Sequence, residues 1–215
     1  MSEALKHTHG RALPGSLCLD GVVIVSNGER ETGKEGARAL LLAHRVFRVG
    51  GDRPDCWSAS FEENFAPVSG TYGGRYRPRD EDLTATAIRG LKEELVSLKF
   101  NRSIQLSFQA VSIELPNLNL QLIAVMNLPD TSFSDVKILW PSDDTPDNSE
   151  HDVLGAMKLN VGVLRKALSS RCPAELGEDV KISNPDLDEY LNHPWHPRSL
   201  ARIACCLWML EEGYL

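Results

Sequence analysis

The chain has 215 residues, of which 42% are apolar and 25% charged, and its formal charge is −7. That size and mixture describe one sizeable globular domain, with or without a C-terminal extension, and exclude collagen-like, repetitive and broadly disordered chains. The acidic balance speaks against a nucleic-acid partner, which needs clustered Lys and Arg, but leaves room for a small phosphorylated ligand drawn in by a bound metal. The five cysteines, Cys18, Cys56, Cys172, Cys205 and Cys206, form no C-x-x-C pair. An odd count without that spacing points to free thiols in a reducing compartment, not to a disulfide framework or a tetrahedral zinc site.

Residues 1–15 are polar and lack the apolar core of a secretory signal, so a flexible tail is expected there, with a domain over 16–215. His7 and His9 read as solvated members of that tail. The apolar run 204–210 is too short to span a bilayer, and the expectation is a soluble, cytoplasmic protein with no membrane partner. In chain order, 17–25 reads as a first strand ending at the turn signal Ser26-Asn27-Gly28. A second strand is expected over 37–49, broken by 50–54, and a short third over 57–65. The stretch 67–79 reads as a loop rich in Gly, Tyr and Arg.

The clearest helix is expected over 80–95. Leu83, Ala87, Leu91 and Leu95 recur at four-residue spacing and make one apolar stripe. Asp80, Glu81 and Asp82 fall at its start, where the helix dipole favours negative charge. A hairpin is expected from 104–115 and 118–126, with one more strand at 136–140 and an acidic loop at 141–150. Helices are expected over 160–168 and 198–212, separated by a polar irregular stretch at 177–192. Pro194 separates His193 from His196 and breaks any helix that would align their rings, so this pair reads as structural.

The stretch that carries chemistry is 81–94. Glu93 and Glu94 are adjacent carboxylates on a helix, the oxygen donors that Mg²⁺ prefers. A cation held there would neutralise a diphosphate and activate a water. Set against this, Arg89 and Glu93 also have the i, i+4 spacing of an ordinary surface ion pair.

The spacing resembles the Nudix family, whose box reads G-x5-E-x7-R-E-U-x-E-E-x-G-U, with U a bulky apolar residue. Glu81 matches the first acid, Arg89 follows after the same gap, Leu91 takes the bulky position, and Glu93 and Glu94 match the paired acids. The run 40–45, a loop and Trp57 are similar to the strand region that precedes the box. The chain departs from the box where Gly90 stands for Glu, Val96 for Gly and Arg75 for the opening Gly.

The resemblance implies an α/β/α sandwich with a mixed β-sheet and additional C-terminal helices. It implies a metal-dependent pyrophosphohydrolase acting on a nucleoside diphosphate linked to another moiety, with Mg²⁺ or Mn²⁺ as cofactor. Glu93 and Glu94 would hold the metal, Glu81 would support the metal shell or hold the loop, and Arg89 would orient the acids. Arg45 and Trp57 are the expected substrate contacts, Trp57 as a face for a base or an isoprenoid. Gly90 keeps an alternative open: a catalytically inactive Nudix-like domain that binds a nucleotide or a protein partner. If a substitute acid exists, Glu62 or Glu63 is the nearest, and alternation along a strand lets only one of them face the site.

Overall fold

The computed structural model describes residues 17–26, 38–45, 55–65, 70–72, 75–77, 79–92, 104–114, 119–136 and 151–215. Ten strands are described: β1 (Leu17–Ser26), β2 (Arg38–Arg45), β3 (Cys56–Ser58), β4 (Phe61–Asn64), β5 (Gly70–Tyr72), β6 (Arg75–Arg77), β7 (Gln105–Glu114), β8 (Asn119–Ser132), β9 (His151–Lys158) and β10 (Val180–Ile182). The helices are α1 (Leu83–Gly90), α2 (Val161–Ser169) and α3 (Pro197–Glu211), with 3₁₀ segments at Phe133–Asp135, Pro173–Asp179 and Pro185–Asn192. None of the described helices is long and apolar enough to cross a membrane.

The main sheet has the order β10-β9-β2-β1-β8-β7, with β3 on β2 and β4 on β1, and β5 and β6 form a separate hairpin. It is mixed, since β1 runs parallel to β8 and the other neighbours pair antiparallel. Both faces are covered. Val22, Ile24, Leu40, Leu42 and Val125 join residues of α2 and α3 in one core. Leu19, Val23, Leu41, Ala124 and Met126 join Ala87 and Leu91 in the other. The alternation of these sets along β1, β2 and β8 is the period-2 pattern of a strand. Coverage on both sides explains why β1 and β2 are apolar almost throughout. The expected α/β/α sandwich with a mixed sheet and extra C-terminal helices is what the structure shows.

β1 and β2 pair only at Ile24–Ser26 with Arg38–Leu40. Further along they diverge, and one short stretch of chain serves both: β3 pairs with β2 and β4 with β1. The single strand expected over 57–65 is therefore two, hinged at Ala59 and Ser60. Ser60 has φ of 72°, and its hydroxyl donates to the Leu41 carbonyl and accepts from the Val23 N–H, each at 2.8 Å. This non-glycine residue in the left-handed region thereby bridges the diverging strands.

Other boundaries move. α1 begins at Leu83, with Asp82 as its N-cap accepting from the Ala85 N–H at 2.8 Å, so Asp80 and Glu81 precede the helix. Leu91 and Lys92 follow in a wider, π-type turn. β9, inserted between β10 and β2, is a strand the sequence reading lacks. The loop expected over 67–79 contains the hairpin β5–β6. The expected hairpin is β7–β8, and the expected late helices are α2 and α3. Val136 lies outside any strand. Residues 137–150, which include the rest of that expected strand and the acidic loop, lie outside the described residues, as does the tail 1–15. The described cysteines are free, and four of the five are buried.

Candidate functional site

The last full turn of α1 carries Arg89, whose guanidinium ties the helix to the loop before it and to β4. Its Nε donates to Asp80 Oδ1 at 3.0 Å and its Nη2 to Asp80 Oδ2 at 2.8 Å. This two-point grip is the geometry that suits arginine to carboxylates. Nη2 also donates to the Asn64 carbonyl at 2.9 Å, and Nη1 lies 2.9 Å from Glu63 Oε1. The Thr86 hydroxyl donates to Asp80 Oδ2 at 3.0 Å, one turn before Arg89. Burial alone would make the guanidinium easier to deprotonate, but the hydrogen bonds and charges of Asp80 and Glu63 raise its pKa overall. Arg89 is therefore a fixed cation holding two nearly enclosed carboxylates.

Gly90 follows directly and is buried. A Cβ placed there would lie 2.5 Å from Phe61 Cε2 and 2.8 Å from Glu63 Cβ. The same phenyl ring covers Gly21 of β1, where a Cβ would meet Phe61 Cζ at 2.2 Å. One side chain thus fills the space left by two glycines, and α1 can approach β4 only because both are glycine. Position 90, where the box has glutamate, is thus closed against β4 and leaves no room for that side chain. The carboxylate beside position 90 belongs to Glu63, across the helix–strand contact.

Alternation along β4 sends Glu62 to the other face. Arg202 of α3, fully buried, donates from Nη2 to Glu62 Oε1 at 2.7 Å and to Asp20 Oδ1 at 2.9 Å. Arg198 donates to Glu62 Oε2 at 2.5 Å, and Arg45 Nη1 lies 3.9 Å from the same oxygen. Burial would raise the Glu62 pKa, yet Arg202, Arg198 and Arg45 outweigh it and hold the carboxyl at about 2. Cys18 stands beside Asp20 and Glu62 in a cation-sized cluster. Burial and these two carboxylates push its thiol up to about 12, and Arg202 already supplies the positive charge.

The expected site residues separate as follows. Glu93, Glu94 and Val96 lie outside the described residues. Glu81 is exposed on the loop before α1. Arg45, at the end of β2, reaches toward Glu62 on the α3 face. Trp57 is completely enclosed, donates from Nε1 to the Tyr190 carbonyl at 2.7 Å, and packs edge-on against His44. No ligand face of Trp57 is open. The residue missed as a site member is Asp80, which the sequence reading treats only as a dipole-favoured acid. Its separation of nine residues from Arg89 is a loop-to-helix contact that no helical periodicity encodes.

No family model and no curated protein matches the chain. Among solved structures it is similar to a mutT/nudix family protein from Listeria innocua, at 14% identity over 94% of this chain and 98% of that one, with a TM-score of 0.44. It is also similar to the NUDIX domain of Shewanella oneidensis NrtR complexed with ADP ribose, at 14% identity over 100% of both chains and a TM-score of 0.46. A third is the Nudix hydrolase RenU from M. smegmatis, at 10% identity over 93% of this chain and 85% of that one, with a TM-score of 0.41.

Proposed function

We propose that the chain is a Nudix-like, metal-dependent pyrophosphohydrolase acting on a nucleoside diphosphate linked to a second moiety. The observation that carries this reading is the Arg89 clasp, which fixes the helix leading to Glu93 and Glu94 against the two carboxylates of Asp80 and Glu63. Every acidic donor along this stretch is a carboxylate, the ligand type that fits Mg²⁺ or Mn²⁺. Glu93 and Glu94 would hold the cation, with Glu81 at the exposed entrance. When bound, it would neutralise diphosphate charge and acidify a water. Glu63, held by Arg89 and by the Asn64 N–H at 2.9 Å, supplies the acid that position 90 lacks and would accept the proton of the attacking water. Arg45, paired toward Glu62, and Trp57, enclosed in the core, stand on the α3 side of the sheet and take no part in this reading.

The test is release of nucleoside monophosphate or phosphate from a panel of nucleoside triphosphates, nucleotide sugars and ADP-ribose, with and without Mn²⁺. The expected result is Mn²⁺-dependent release that falls at least tenfold in Glu63→Gln and much less, per folded molecule, in Glu62→Gln. Equal loss in both variants, or none in Glu63→Gln, would remove Glu63 from the mechanism.

The sealed position 90 favours a second reading, a domain that binds a nucleotide or a protein partner without turnover. Calorimetric binding of an intact nucleotide with no release of product would establish it over the first.

A further inference from the structure

His193, which the sequence reading sets aside as structural, meets a second histidine in the fold. His193 Nδ1 lies 2.7 Å from His44 Nε2, although 149 positions separate them in the chain. One carboxylate oxygen of Asp55 completes the group, and the three ligand atoms all lie within 4.8 Å of one another. The three residues come from the end of β2, the start of the chain entering β3, and the segment after the 3₁₀ turn Pro185–Asn192. His44, Tyr190 and Trp57 pack on the side of the sheet covered by α2 and α3, away from α1.

Each member is held in place. His44 stands opposite Trp57 and Val153 in the sheet. Its ring stacks on Tyr190, with centroids 4.7 Å apart at 18°. Tyr190 in turn stacks against His193 at 5.3 Å and 23°. The backbone after His193 is pinned on β3, because the Trp57 N–H donates to the Pro194 carbonyl at 2.9 Å and the His196 N–H to the Trp57 carbonyl at 2.8 Å. The Asp55 N–H donates to the Arg45 carbonyl at 3.1 Å. His44 is enclosed, His193 half-buried and Asp55 exposed, so the group opens to solvent on the Asp55 side.

We propose that His44, His193 and Asp55 form a binding site for a divalent transition cation, Zn²⁺, with the fourth coordination position open beside Asp55. Two imidazoles and one carboxylate are a common donor set for zinc with an open position. Imidazole nitrogen selects such ions over Mg²⁺, which separates this site in chemistry from the all-carboxylate set proposed at Glu93 and Glu94. Without metal the two nitrogens share one proton in a hydrogen bond. Tetrahedral zinc would replace that proton and set the nitrogens about 3.3 Å apart. The rings must then open by about 0.6 Å, a shift that the half-buried His193 can make. The bound ion would staple the C-terminal segment to β2 and to the entry of β3.

The test uses the full chain, stripped with a chelator and titrated with Zn²⁺ by calorimetry, with Co²⁺ absorption as the report on coordination. Saturable Zn²⁺ binding is expected, together with a rise in melting temperature that the chelator reverses. His193→Ala and Asp55→Asn should each weaken binding at least tenfold, and His193→Ala should abolish the thermal shift. Asp55→Asn changes an exposed residue and keeps the fold intact. Glu94→Gln should leave this Zn²⁺ binding unchanged. Wild-type-like zinc affinity in Asp55→Asn and His193→Ala, no saturable binding by the native chain, or loss of the site in Glu94→Gln would each overturn the proposal.

Discussion

Glu62 and Glu63 are adjacent on β4, and each meets an arginine from a helix, but on opposite faces of the sheet. Glu62 enters a cluster with Arg202, Arg198, Arg45 and Asp20, in which Arg202 is wholly enclosed. Glu63 meets Arg89, whose side chain is 14% exposed and whose helix leads toward Glu93 and Glu94. A buried ion cluster is costly to desolvate and very costly to break, so the α3 face reads as architecture. The α1 clasp is enclosed too, with Glu63 and Asp80 only 6% and 5% exposed, but it anchors the turn of chain that precedes Glu93 and Glu94, so on the proposed reading the site belongs to the α1 face. The same two residue types thus serve different ends, and what separates them is which side of one short strand they project from.

The strongest challenge to this division removes α3. Truncation after Pro197 deletes Arg202 along with Ile203, Cys206 and Met209, all buried. The truncated chain should lose cooperative unfolding, monitored by near-UV circular dichroism, whereas a melting temperature close to the full chain's would make α3 peripheral. The next largest effect is expected from Arg202→Met. It leaves Asp20 and Glu62 without their shared partner and should cost about 3–5 kcal/mol in denaturant unfolding. Arg89→Met should cost clearly less stability while weakening Mn²⁺ binding, and a reversed order would dissolve the contrast between the faces.

Gly90→Ala sharpens the packing side of the comparison. Helix propensity alone would favour alanine by about 1 kcal/mol. The ring of Phe61 and the Cβ of Glu63 leave no space for the methyl group, so a net loss of about 1–3 kcal/mol is expected. The same change in a Phe61→Leu background should cost less. Equal losses in both backgrounds would show that Phe61 is not the obstacle.

A pH dependence of stability set by the α3 face completes the comparison. Burial, reinforced by the nearby arginines and only partly opposed by Glu62, lowers His196 to about 4 from an ordinary 6.5. The unfolded chain therefore binds the proton first, and this contribution to stability, full above pH 6.5, is lost as pH falls toward 4. Glu62, held at about 2 against an ordinary 4.5, gives a second contribution that is full above pH 4.5 and lost as pH falls toward 2. Asp20, raised chiefly by burial, opposes the Glu62 part. Denaturant midpoints should thus decline in two stages on acidification, and His196→Gln should remove the first stage.

The layered fold was legible mainly through the box resemblance. The spacing of the 81–94 stretch carried the resemblance, the four-residue apolar repeat marked α1, and flanking turn signals bounded β1 and β2, which are apolar almost throughout. β9 escaped because its middle, Val153 to Met157, is apolar on both faces, and a short continuous apolar run carries no period. The hinge at Ala59 and Ser60 escaped because it depends on strand divergence, a property of the whole sheet. In the candidate site, Arg89 was legible from box spacing, and the opposition of Glu62 and Glu63 from strand alternation. Asp80 was not, and neither was the meeting of His44 with His193, because both contacts are made by chain folding across loops. Gly90 was visible as a departure, but its cause, a phenylalanine ring 29 positions earlier in the chain, was not.

The most direct test of the account is the Mn²⁺ affinity of the full chain and of Glu94→Gln, read as free Mn²⁺ by electron paramagnetic resonance, with melting curves taken in parallel. The account predicts that the native chain binds Mn²⁺, that Glu94→Gln loses at least tenfold in affinity, and that the melting temperature without metal stays the same. Unchanged affinity in Glu94→Gln, with Glu93→Gln equally unaffected, would contradict the assignment of the metal to these two carboxylates.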